Sequence, residues 1–224
     1  MTDPFVLTFA EIDFLLAACP QRADAVRAAL GVAGDDHGTA TARAGLASLL
    51  ARGLCADTAG SVTPGPEATS VIAALSTALR HIAAAGWRAE QPDVMHLYDG
   101  GAMRVALFPA PLGRYTVEFL NPEEPVSAPL MRFVDAIANS PADGHASALV
   151  IKDEAIADAH AQDIPPPDLA DVSVAVSVDT AGNWALSDSL RSADRGRPTS
   201  RDQVARRIAE LMDEPRTRLA GLSA

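Results

Sequence analysis

Lysine is almost missing from this chain: Lys152 is the one lysine among 18 basic residues, set against 29 acidic residues and a formal net charge of −11. Nonspecific nucleic-acid affinity comes from lysines and arginines that displace counterions, so this balance argues against a nucleic-acid partner and against an anionic membrane surface. Cysteine is limited to Cys19 and Cys55, which lack metal-ligand spacing. Each is read as a small buried thiol in a reducing compartment. No apolar run approaches the roughly 18 to 20 residues needed to cross a bilayer. The start, Met1-Thr-Asp-Pro-Phe5, has no basic stretch ahead of an apolar one. Neither a membrane span nor a secretory signal is expected, and the expected location is cytoplasmic.

Local signatures of catalysis are missing too. The chain has no Walker loop, no glycine-rich dinucleotide turn, no nucleophile elbow and no His-Glu-x-x-His pair. Ala148-Leu-Val-Ile-Lys152 imitates the lysine strand of a kinase, but no glycine-rich loop precedes it and no Asp-Phe-Gly follows. The lysine is read as solvated at a strand end. His37, His81, His96, His145 and His160 fall in different predicted elements, and only Asp35-Asp36-His37 sets carboxylates beside an imidazole, in an ordinary polar loop. Glu154 and Asp158 would lie one helical turn apart, a spacing that suits a wet helix face as well as an acid-base pair. No enzyme activity, cofactor or metal is expected.

What is present is apolar surface and punctuation. At 224 residues, 48% of them hydrophobic, the chain can form one large domain or two small ones. Thr8-Phe-Ala-Glu11 is a capping box that predicts a helix from Phe9 to about Ala18, and a second helix is expected over Arg22 to Leu30. Leu46, Leu49 and Leu50 form a helical stripe ended by Gly53. A short strand, a turn at Asp57 to Gly60 and a second short strand follow, which together read as a winged-helix-like unit. Such a unit reads DNA or holds a protein. Its pre-wing helix offers only Arg43, Arg52, two threonines and a serine among alanines and leucines, too bland a face to read bases, which favours protein binding. A long alanine-rich helix is expected from Glu67 to about Ala85, stopped by Gly86.

The period then switches to two. Strands are expected near Trp87 to Glu90, Val94 to Tyr98, Met103 to Phe108 and Tyr115 to Leu120, an antiparallel meander closed by a helix from Ala128 to Asn139. Ser140 to His145 reads as a boundary, giving residues 1–140 (winged-helix-like unit, meander and helix) and 141–224, which complete the same sheet. In the second part a strand from Ala148 to Ile151 precedes a helix from Asp153 to about Ala161 and a stiff Ile164-Pro-Pro-Pro167 linker. A hairpin of Val172 to Val178 with Trp184 to Ser187 then leads to a helix from Thr199 to Asp213. Gly113-Arg-Tyr115 and Gly182-Asn-Trp184 occupy equivalent places in two hairpins. The helices that follow share a spacing, Leu130, Val134, Ile137 and Ala138 against Val204, Ile208, Leu211 and Met212. A hairpin-then-helix unit used twice is one reading and chance recurrence the other. The fold class expected is α+β, an antiparallel sheet with helical bundles.

The order of elements resembles the type VII (ESX) secretion-associated EspG family of actinobacteria. The resemblance is carried by Phe9-Ala-Glu-Ile-Asp-Phe-Leu-Leu16, by Leu46-Ala-Ser-Leu-Leu-Ala-Arg-Gly-Leu54 leading into a wing and a proline-started helix, by the meander, by the helix from Leu130 to Ile137, and by Asp179-Thr-Ala-Gly-Asn-Trp184 before a terminal helix. It implies a cytosolic chaperone whose sheet and helical bundles hold the tip of a PE/PPE heterodimer, a helical client. The chain departs from the family in its short second half and in a tight connection where a long partner-binding loop is expected. That connection is the candidate binding surface: Pro109, Pro111, Leu112 and Arg114, with an apolar residue at a hairpin tip. A winged-helix transcriptional regulator is the alternative, and the oligomeric state is not legible. The least acidic part of the chain, around Arg197, Arg201, Arg206 and Arg207, is a second place to look.

Overall fold

The computed structural model describes residues 4–30, 39–87, 92–139, 147–155, 172–188 and 196–213. Strand β1 (Phe5–Thr8) runs directly into helix α1 (Phe9–Leu16). The junction is the expected capping box: the Glu11 amide donates to Thr8 Oγ1 at 3.3 Å and the Thr8 amide to Glu11 Oε2 at 2.6 Å. Helix α2 (Pro20–Ala29) starts on proline, and after α3 (Thr39–Ala51) the chain turns left-handed at Gly53, φ 69°. The wing is β2 (Cys55–Thr58) paired antiparallel with β3 (Ser61–Pro64). Its two-residue turn has Ala59 and Gly60 both at positive φ, and Asp57 accepts the Gly60 amide at 3.0 Å. Helix α4 (Pro66–Thr77) again opens on proline.

The long helix expected to reach Ala85 is a correction. Helix α4 stops at Thr77, and Arg80–Trp87 is strand β4, with Ile82, Ala84 and Gly86 buried at every second position. A run of alanines carries little local instruction, and pairing in a sheet overrides its helix propensity. Gly86 is therefore no helix stop. A Cβ there would sit 2.6 Å from Ile137 Cγ1, so the residue is small because a helix packs on it.

Strands β5 (Pro92–Asp99), β6 (Arg104–Ala110) and β7 (Arg114–Leu120) form the meander. Beyond them the sequence continues as α5 (Ser127–Ala138), β8 (Ser147–Ala155), β9 (Val172–Val178), β10 (Trp184–Ser187), β11 (Arg197–Thr199) and α6 (Arg201–Met212). The class is α+β. The chain divides into two compact units, one built on Met1–Ala83 and Val94–Pro122, the other on Ala84–Asp93, Glu123–Asp153 and Val172–Ala224.

In the first unit the strand order is β1-β7-β6-β5 followed by the start of β4, with β1 antiparallel to β7 and Thr8 opposite Arg114. No strand was expected at Phe5–Thr8, because four residues are too few to show a period. The core of this unit joins Leu15, Leu16, Val26, Leu49, Val71 and Leu75 from the helices to Leu7, Leu107 and Val117 from the sheet. In the second unit the order is β8-β9-β10-β11, antiparallel between successive strands. Helices α5 and α6 pack together, and the Ser127 amide donates to Asp213 Oδ1 at 2.9 Å while its hydroxyl donates to Oδ2.

The helix expected from Asp153 is a second correction, since β8 continues through Ala155. The rest of that segment, the Ile164 to Pro167 linker, the Ser140 to His145 boundary and the Gly34 to Gly38 loop lie outside the described residues. The hairpin-then-helix unit occurs twice, as β6-β7-α5 and β9-β10-α6, with β11 inserted in the second. Turn glycines 113 and 182 share positive φ, and the inward triplets are Leu130, Val134, Ile137 and Val204, Ile208, Met212, with Ala138 and Leu211 half-buried.

Candidate partner-binding hairpin

The tip of the β6-β7 hairpin is formed where Ala110 pairs with Arg114, leaving Pro111, Leu112 and Gly113 as the connection. Both Leu112 (φ 66°) and Gly113 (φ 65°) are left-handed. Glycine adopts that conformation freely, whereas for leucine it costs roughly 1–2 kcal/mol. The leucine side chain is 91% exposed and gains no burial in exchange among the described residues. Pro109, Pro111 and Arg114 are exposed around it, and the Arg114 Nε donates to the Pro111 carbonyl at 3.1 Å, closing the loop on itself. The structure thus brings the four expected residues to one tip.

The tip is held rigidly from below. The amide of Phe9, the first residue of α1, donates to the Gly113 carbonyl at 2.7 Å. Tyr115 is buried beneath the hairpin with its hydroxyl 3.4 Å from the Leu30 carbonyl, and burial pushes its phenol above the ordinary value. Glu11, fully buried, ties the same α1 start to the wing helix: its carboxylate accepts from the Ser48 hydroxyl at 2.8 Å and from Arg52 Nη1 at 2.8 Å, and Arg52 Nη2 donates to the Val6 carbonyl at 2.7 Å. Burial pushes the Glu11 carboxyl up. The Thr8 amide, the Ser48 hydroxyl and Arg52 more than reverse this, so the group lies below the ordinary glutamate value. Sequence reasoning found the tip but missed this anchoring, because Glu11 and Arg52 are 41 residues apart and β1 gave no periodic signal.

Elsewhere, Cys19 and Cys55 are both buried free thiols, and burial pushes each above its ordinary value, which disfavours the reactive thiolate. His81 and His96, placed by sequence in separate elements, meet across β4 and β5, with Nε2 and Nδ1 3.1 Å apart and their rings stacked at 5.4 Å. Glu154 stands on a strand, so the helical spacing to Asp158 does not apply, and Lys152 lies within β8 instead of at its end. Asp158 and the Asp35-Asp36-His37 loop are outside the described residues. Among the described residues no group of three or more His, Cys, Asp or Glu could hold a metal ion, and no helix is long and apolar enough to cross a membrane. No family model matches the chain, and no curated protein matches it in sequence.

Proposed function

We propose that this chain is a non-enzymatic cytoplasmic protein-binding protein of the type VII secretion chaperone kind, which engages a helical, PE/PPE-like client through the β6-β7 tip. The observation that carries the reading is Leu112, an almost fully exposed leucine in a left-handed conformation. Unfavourable backbone geometry with no compensating burial among the described residues points to a use outside the molecule. The apolar tip is also pre-ordered by Pro109, Pro111 and the Phe9 amide, so little conformational entropy is lost when a partner docks. An antiparallel sheet with helices in each unit is in keeping with the EspG resemblance. The connection of three residues is short for that family, so a client would meet a compact knob and not a long loop.

The regulator alternative loses support at Arg52. Of the two arginines near the wing, Arg52 is engaged with Glu11 and the Val6 carbonyl, which leaves Arg43 as the exposed cation of the pre-wing helix α3. The test is co-expression with a tagged PE/PPE heterodimer. Leu112→Asp should cut recovery of the chain tenfold or more while its melting temperature stays that of the parent, since a surface change normally costs within about 0.5 kcal/mol. Undiminished recovery would clear the tip of this role.

A further inference from the structure

On the second unit, α6 and the edge strand β11 enclose an open groove of about 320 Å³. Its helix wall is one stripe of α6, formed by Gln203, Arg206, Arg207 and Glu210 at helical spacing, and its strand wall carries Arg197 and Thr199. Leu186 and Pro198 supply apolar lining. Three arginines therefore converge on one groove in a chain whose net charge is −11.

Two of the groove's arginines already meet carboxylates of the chain itself. Asp188 accepts from Arg207 Nε at 2.9 Å with Arg197 Nη2 3.7 Å away, and Glu210 accepts from Arg207 Nη1 at 3.3 Å. Arg207 is thus satisfied from within. Arg206, exposed on the same stripe, forms no ion pair among the described residues, and Arg197 has only the longer contact to Asp188. Two guanidinium groups remain for an incoming carboxylate, and the planar fork of arginine suits that partner.

The shape decides between a lone anion and a chain. From Gln203 to Glu210 the helix wall rises about 10 Å, the length of roughly three extended residues. A single oxyanion would leave most of that length and the Leu186–Pro198 lining uncovered. We infer that the α6-β11 groove is a binding site for a short acidic peptide segment with an apolar residue between its carboxylates. It lies on other residues than the β6-β7 tip, so it stands or falls independently of that proposal.

The probe is a fluorescein-labelled peptide of four residues alternating glutamate and leucine, titrated with the full chain at physiological salt and followed by anisotropy. Saturable binding is expected, weakened tenfold or more in the Arg197→Gln/Arg206→Gln double variant and unchanged in Arg43→Gln, an exposed arginine on α3 that controls for net charge. A lysine-leucine peptide of the same length should not bind. Absence of saturation up to millimolar protein, or equal binding by the double variant with unaltered thermal melting, overturns the inference. So does displacement of the peptide by inorganic phosphate at lower concentration than the unlabelled peptide needs, which would make the groove an oxyanion site.

Discussion

Gly45→Ala sets two opposite effects against each other. Gly45 lies inside α3, where alanine in place of glycine ordinarily stabilises a helix by about 1 kcal/mol. Here α1 crosses so closely that a Cβ at position 45 would stand 1.9 Å from the Ala10 carbonyl oxygen and 2.5 Å from its carbon. Ordinary contact begins near 3.4 Å, so the helices would have to part by about 1.5 Å against backbone that cannot swing aside. Overpacking of this sort costs about 1–3 kcal/mol. The same separation pulls the Ser48 hydroxyl and Arg52 from Glu11, and loss of a hydrogen bond to a buried charge costs about 1.5–3 kcal/mol. The clash wins, for a net destabilisation of about 2–4 kcal/mol. In a domain of this size that lowers the melting temperature by roughly 5–15 °C. Circular dichroism melts with parallel urea titrations measure it, and the exposed neighbour Ala44→Gly, which should lose only about 1 kcal/mol, controls for helix propensity. A Gly45→Ala protein that melts at or above the parent temperature would refute the close crossing of α1 and α3.

Leu49→Ala removes a fully buried leucine of the same helix and should cost about 2–5 kcal/mol by urea titration; parental stability would mean that this side chain is not in the core. Leu112→Gly should raise stability by about 1 kcal/mol, because glycine relieves the left-handed strain, yet it should weaken client recovery, and a variant no more stable than the parent would argue against strain at the tip. For pH, the Thr8 amide, the Ser48 hydroxyl and Arg52 hold the folded Glu11 carboxyl below the ordinary glutamate value, so its contribution to stability is present above that ordinary value and lost as pH falls through the lower folded one. The stability gap between parent and Glu11→Gln should be widest near neutrality and shrink in acid. A gap that stays constant down to acid unfolding would contradict the assignment.

Local features are legible in the sequence where the physics is local. The Thr8–Glu11 box, the Gly53 stop, the β2-β3 wing turn, the proline start of α4 and the tip at Pro109, Pro111, Leu112 and Arg114 depend on residues within a few positions of each other. Apolar spacing likewise marked the inward faces of α5 and α6. What the sequence could not disclose is whatever a distant segment decides. Arg80–Trp87 is a strand because neighbours pair with it, not because alanine prefers to extend, and Phe5–Thr8 is one because β7 offers it an edge. Gly86 reads as a helix stop until Ile137 is seen against it. Glu11 reads as half of a cap until Arg52 and Ser48 close around it, and two histidines 15 residues apart become a stacked pair only in the sheet. Nearest-neighbour propensities and caps are written in the chain, but burial and pairing are set by which surfaces meet, and that information exists only once the chain has folded.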